Sequence, residues 1–151
     1  MGVIRAAPGE VVLIPRGIRF RVDLADDHAR GFVCEDYGRP FQLPELGPIG
    51  SNGLANAVDF LTPVAAFEDK ERETQLVHKF AGTLWTAQLD HTPFDVVAWR
   101  GNYAPCKYDM FCFAPVGMTR VDHADPSVYC ALSSPSDSVL GPNADFMILP
   151  P

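Results

Sequence analysis

The chain has 151 residues, 47% of them apolar and 21% charged, which fits one folded domain spanning residues 1–151 and excludes a disordered chain. A formal charge of −7 with scattered basic residues argues against nucleic acid or an anionic membrane surface as partner. No apolar run reaches the ~18 residues of a membrane span, and Met1-Gly2-Val3-Ile4-Arg5 lacks a secretory pattern, so the sequence predicts a cytoplasmic protein that meets a small molecule or another protein.

Fourteen prolines and twelve glycines break the chain about every ten residues, a spacing that suits many short strands joined by turns and leaves room for few, short helices. The first predicted strand is Val11-Val12-Leu13-Ile14, followed by the turn Pro15-Arg16-Gly17. Residues 18–24 then alternate, with Ile18, Phe20, Val22 and Leu24 on one side and Arg19, Arg21 and Asp23 on the other, the period of a strand with one face on a core. Asp26-Asp27-His28 reads as a surface turn and residues 31–35 as the return strand. Residues 41–59 hold too many breakers for a helix or central strand and read as a long ordered loop. A helical turn is expected within 56–63 and a short strand at 64–67.

Further strands are predicted at 74–80, where Thr74, Leu76, His78 and Phe80 share a face, and at 83–88, 96–99, 111–113, 127–132 and 146–149. His78 reads as a core-facing or interface residue, and His28 and His91 as turn residues. Eight to ten short strands in one domain imply a β-sandwich or barrel, which protects most sheet edges. The four cysteines form no CxxC pair, and Cys34, Cys112 and Cys130 stand among strand-like residues, so buried free thiols are expected.

Three constellations bear on chemistry. Gly9-Glu10-Val11-Val12-Leu13-Ile14-Pro15-Arg16-Gly17 resembles the second motif of the cupin superfamily, which implies a cupin-like jelly roll. A metal-binding cupin carries His or Asn three residues after the last glycine, where this chain has Phe20. No HxH with a downstream Glu occurs either, so no metal site is expected within the chain. In Asp122-His123-Ala124-Asp125-Pro126-Ser127 a histidine stands between two carboxylates. A carboxylate bonded to one ring nitrogen raises the basicity of the other, as a general base requires; a plain surface turn with an Asp-Pro step is the alternative. Trp99-Arg100-Gly101-Asn102-Tyr103-Ala104-Pro105-Cys106-Lys107-Tyr108 concentrates aromatic and basic groups. It suits a pocket for a small aromatic acid, with Arg100 or Lys107 on the carboxylate and Tyr103 in the lining, and equally a rigid loop whose tyrosines pack inward.

Leu46-Gly47-Pro48-Ile49-Gly50-Ser51-Asn52-Gly53-Leu54-Ala55-Asn56, Asp59-Phe60-Leu61, residues 99–108, Asp122-His123-Ala124-Asp125-Pro126-Ser127 and the closing residues 145–151 together resemble homogentisate 1,2-dioxygenase over nearly the whole chain. The resemblance implies a cupin-like protein of trimers and hexamers. It implies a non-haem Fe(II) enzyme of tyrosine catabolism that opens the homogentisate ring with O₂ to give maleylacetoacetate. It implies that His123 is the base that takes a proton from a substrate hydroxyl, with Asp122 and Asp125 beside it. It further implies that this chain is a central piece of such a protein, about a third of the family length. The two His and one Glu that hold iron in the family follow a Pro-Pro step like Pro150-Pro151, so no cofactor is expected within the chain itself. Arg100 stands where the family pattern has histidine, and Cys106 where it has tyrosine. A metal-free cupin that binds or isomerises an aromatic or polyketide-like ligand through His123, and an assembly module whose strand edges pair with another copy, are the readings from other classes.

Overall fold

The computed structural model describes residues 2–45, 54–96, 101–115, 121, 126–135 and 141–149. Its described elements are mainly strands, with only short 3-10 turns and no long helix, the mainly-β class expected. The strands are β1 (Glu10–Leu13), β2 (Glu71–Phe80), β3 (Thr83–His91), β4 (Cys106–Asp109), β5 (Cys130–Ser134) and β6 (Ala144–Met147). They form three two-stranded ladders: β1 with β4, β2 with β3, and β5 with β6. The chain divides into two compact units.

Unit 2 comprises residues 6–12, 24–61 and 107–151. It opens on the turn Ala7-Pro8-Gly9-Glu10, closed by the Glu10 N–H donating to the Ala7 carbonyl at 3.1 Å. Proline at the second position and Gly9 at φ 91° at the third are what a type II turn requires. Its core gathers Ala55, Tyr108, Phe113, Tyr129 and Ala131, with Val11, Leu43, Leu54, Phe60, Phe146 and Ile148 packed around them. The ladders are widened by single bridges. Gln42 exchanges two backbone bonds with Ser133 of β5, and Leu61 exchanges two with Lys107 of β4. The Asn56 side chain caps the 3-10 turn Ala57–Asp59 by accepting from the Val58 N–H, so the helical turn expected within 56–63 is present.

Unit 1 comprises residues 1–5, 13–23 and 62–106. Its main element is the β2–β3 hairpin, paired from Thr74 with Leu89 to Phe80 with Thr83. The two-residue loop is Ala81-Gly82, both at positive φ (49° and 78°), the type I′ geometry whose twist matches the strands. The expected sharing of one face by Thr74, Leu76, His78 and Phe80 holds, and opposite them on that face lie Leu89, Ala87, Trp85 and Thr83.

Several expected strands are absent, for one physical reason: alternation states which face a strand would bury but not whether another strand lies beside it. Residues 18–24, 31–35 and 64–67 have no ladder partner among the described residues. In the first of these the side-chain alternation is still visible, since Arg21 binds Asp23 two residues on at 2.9 Å while Phe20, Val22 and Leu24 stand exposed. The turn expected at 15–17 does form, with the Ile18 N–H donating to the Pro15 carbonyl and Gly17 at φ 82°. Residues 111–113 were expected as strand. Instead the Asp109 carboxylate accepts from the Phe111 N–H and starts a 3-10 turn, Met110–Cys112. Likewise Pro126–Tyr129 is a 3-10 turn, and the strand begins only at Cys130. The expected strand at 96–99 falls largely outside the described residues, as does part of the loop expected at 41–59. All four cysteines are free, but Cys34 and Cys112 are exposed and Cys106 is half-buried; only Cys130 is buried, because the strands expected to cover the first two do not form.

Candidate functional site

The residues expected to carry chemistry divide by position. Asp122, His123, Asp125 and Arg100 lie outside the described residues. Tyr103 and Lys107 are described, one in each unit. Tyr103 ends the 3-10 turn Gly101–Tyr103 with 39% of its surface exposed, open to a ligand on that side.

Lys107 has a partner already. The β1–β4 ladder brings it to Glu10, 97 residues away, and its ammonium donates to the carboxylate at 2.6 Å. The Glu10 carboxylate also accepts from the Ala7 N–H at 2.7 Å. The Lys107 hydrogen bond, then that backbone bond, hold the Glu10 carboxyl below its usual value, against the small opposing effect of burial. Both side chains are mostly covered, Lys107 at 24% and Glu10 at 16% exposed, so this pair is better shielded than an ordinary surface pair. Neither residue's sequence neighbourhood hints at the other, and no signal short of the ladder register could have found the pair.

Beside Lys107 the two readings of the 99–108 segment separate. Tyr108 is fully buried and its ring stacks on Phe60 with centroids 4.5 Å apart, the inward packing offered as one alternative. Its hydroxyl finds no partner among the described residues, and neither does that of the equally buried Tyr129. Burial first, then the nearby Cys112, Asp59 and Asp109, push the Tyr108 hydroxyl up to about 12. It therefore stays neutral, as a core group. Burial likewise raises the Cys130 thiol, with Asp145 adding to the effect, to about 11.

A histidine between carboxylates does occur among the described residues, at a place that reads as a turn in the sequence. The His91 Nδ1 lies 2.7 Å from the Asp90 carboxylate and its Nε2 3.8 Å from that of Asp95. Arg19 joins the group, donating to the Pro93 carbonyl at 2.8 Å and reaching Asp95 at 3.5 Å. The hydrogen bond to His91 lowers the Asp90 carboxyl. His91 thus links the end of β3 to the turn that follows it, with Nδ1 hydrogen-bonded to Asp90 and Nε2 on the side of Asp95. The spacing Asp90-His91-…-Asp95 was the signal available for it.

Among the described residues no three His, Cys, Asp or Glu side chains gather closely enough to hold a metal ion. No described helix is long and apolar enough to cross a membrane.

Small antiparallel ladders joined by turns and 3-10 segments define a mainly-β chain. The chain belongs to the homogentisate 1,2-dioxygenase family. The family descriptions "Homogentisate 1,2-dioxygenase N-terminal" and "Homogentisate 1,2-dioxygenase C-terminal" match residues 1–110 and 111–151. The join falls inside the 3-10 turn Met110–Cys112, so unit 2 draws on both sides of it. The chain is similar to proteins named homogentisate 1,2-dioxygenase from Rhodopseudomonas palustris strain BisB18, 58% identical over 99% of this chain, and strain BisA53, 57% identical over the same share. A third, from Nitrobacter hamburgensis, is 54% identical, again over 99% of this chain. In each case the chain spans only a third of the relative's length.

Proposed function

We propose that this chain supplies the acid–base segment of a homogentisate 1,2-dioxygenase, the ring-opening of homogentisate by O₂, within a cupin-like domain. The observation that carries the reading is identity above one half to proteins of that name along 99% of the chain, a stretch that includes the segment around His123. His123 accepts a proton from a ring hydroxyl of the substrate. Asp122 or Asp125 accepts a hydrogen bond from the other ring N–H and stabilises the imidazolium that results. The guanidinium of Arg100 takes the substrate carboxylate in a two-pronged bond, and Tyr103 lines the same pocket. Lys107 is held by Glu10 through one of its three N–H donors and serves the ladder that carries this segment.

We assign the family's Fe(II) to residues other than these, the reading that the family resemblance implies. When bound, that ion supplies the activation of O₂; proton transfer and substrate placement are the parts given to this chain. Calorimetric titration of the purified chain with homogentisate tests the placement. Saturable binding, weakened at least about tenfold in Arg100→Ala and little changed in Lys107→Met, is the expected result. Binding that survives Arg100→Ala intact would refute the assignment of the carboxylate.

A further inference from the structure

In His91-Thr92-Pro93-Phe94-Asp95 a proline ends β3 and leaves a histidine and an aspartate four residues apart across the turn that follows. The dioxygenase reading uses none of these residues, and all of them lie in unit 1. The backbone of the turn is tied on both sides. The Thr92 N–H donates to the Lys70 carbonyl at 2.9 Å, and the Glu68 N–H donates to the Phe94 carbonyl at 2.8 Å. Thr92 is fully buried; its hydroxyl donates to the Glu68 carboxylate at 3.1 Å and accepts from the Phe94 N–H at 3.4 Å. From residues 18–24, Arg19 donates to the Pro93 carbonyl and Arg21 stands over the Phe94 ring at 5.8 Å.

Asp95 closes the turn between Arg19 and His91. Arg19 Nη1 lies 3.5 Å from Oδ1 and His91 Nε2 lies 3.8 Å from Oδ2. The other ring nitrogen, Nδ1, is 2.7 Å from Asp90 Oδ1. An ionised carboxylate only accepts, so Nδ1 carries the proton of that bond. In the neutral ring this leaves Nε2 with a lone pair on the side of Asp95, acceptor against acceptor. The opposite tautomer moves the same conflict to Asp90, at the shorter distance. Only the imidazolium, with a donor on each nitrogen, suits both carboxylates at once. The hydrogen bond to His91 lowers the Asp90 carboxyl, which keeps Asp90 an acceptor throughout the range in which histidine titrates.

The other charged groups around the turn are accounted for. Glu71 of β2 is the cross-strand partner of His91. Glu68 is held by Lys70 at 2.7 Å, and Arg21 is bound to Asp23 at 2.9 Å. Of the side-chain types gathered here, histidine is the one whose charge changes between about pH 5 and 8.

We propose that His91 is a proton-operated latch on this turn: the imidazolium clips Asp95 to the end of β3, and loss of its proton leaves Asp95 to Arg19 and lets the turn open more often. The proton comes from water and returns to it, because 47% of the His91 side chain is exposed. The same exposure keeps the effect modest, since pairs open to water change such an equilibrium by a factor of about two to five. The latch and the acid–base role proposed for His123 do not depend on each other.

Amide hydrogen exchange of the purified chain tests the latch, read residue by residue by NMR between about pH 5 and 8 and corrected for the intrinsic dependence of exchange on pH. The Glu68 and Phe94 N–H groups report the turn, and the Ser133 N–H, bonded to the Gln42 carbonyl in unit 2, serves as the control. The expected result is that protection of Glu68 and Phe94 falls about two- to fivefold as pH rises through the titration of the His91 ring, followed by its own carbon-bound protons, while Ser133 shows no such step. The step is expected to vanish in His91→Gln and in Asp95→Asn, each with Ser133 protection unchanged as proof of folding. Turn protection without a step, a step that persists in either variant, or an equal step at Ser133 would overturn the proposal.

Discussion

The tyrosine-centred core of unit 2 and the β2–β3 hairpin of unit 1 are built by opposite means. In the core, Tyr108 from β4, Tyr129 from a 3-10 turn, Ala55 and Phe113 come from distant parts of the chain and are almost wholly buried. The hairpin is local, with strands two residues apart in sequence, a turn that dictates the register, and side chains mostly exposed. Packing therefore decides the first region and backbone geometry the second, and substitutions separate the two.

The largest expected effect lies in the core. Tyr108→Ala removes a buried ring stacked on Phe60 and should cost about 3–5 kcal/mol in denaturant unfolding, much of the stability of an ordinary domain. A loss below about 1 kcal/mol would mean that the ring is not packed as described. Next comes Ser134→Ala. The buried Ser134 hydroxyl donates to the Arg39 carbonyl at 2.6 Å, and its removal should cost about 1–3 kcal/mol in the same experiment. In the hairpin the sign reverses. Ala81 holds φ 49°, a conformation that asparagine tolerates far better, so Ala81→Asn should raise the stability of the hairpin by about 0.5–1 kcal/mol, read as slower amide exchange in β2 and β3.

A smaller effect follows pH. Lys107 lowers the Glu10 carboxyl in the folded chain, so the pair's contribution is full above the unfolded value near 4.5 and is lost as pH falls through the lowered folded value. Thermal melts should therefore show an acid limb that flattens in Glu10→Gln and in Lys107→Met. The smallest effect sharpens the first. Tyr108→Phe removes only a hydroxyl without a partner among the described residues and should leave stability unchanged or slightly higher.

The same contrast sets how much was legible in the sequence. The strands at 74–80 and 83–88 were legible, because period-two alternation is a local signal, whereas their pairing and register come from the structure. The helical turn within 56–63 was also legible locally, and the structure sets it at Ala57–Asp59. The failures are non-local. Residues 18–24 alternate as cleanly as β2, yet nothing in a sequence states that no strand lies beside them. Cys34 and Cys112 were misjudged through strands that do not form. At Met110–Cys112 an aspartate cap outweighed an apolar run that reads as strand. At the candidate site, the segment around His123 was visible as a motif, whereas the tie between Lys107 and Glu10 depended on a pairing 97 residues apart.

The central claim, that this chain contributes the base and longer relatives the rest, is tested most directly by oxygen consumption. The purified chain, homogentisate and Fe(II) are combined with and without the remaining two thirds of one of the longer relatives as a separate chain. Oxygen uptake is expected only in the mixture, and His123→Ala in this chain should lower it by about 10²–10⁴-fold. Uptake by this chain alone, or a mixture indifferent to His123→Ala, would contradict the claim.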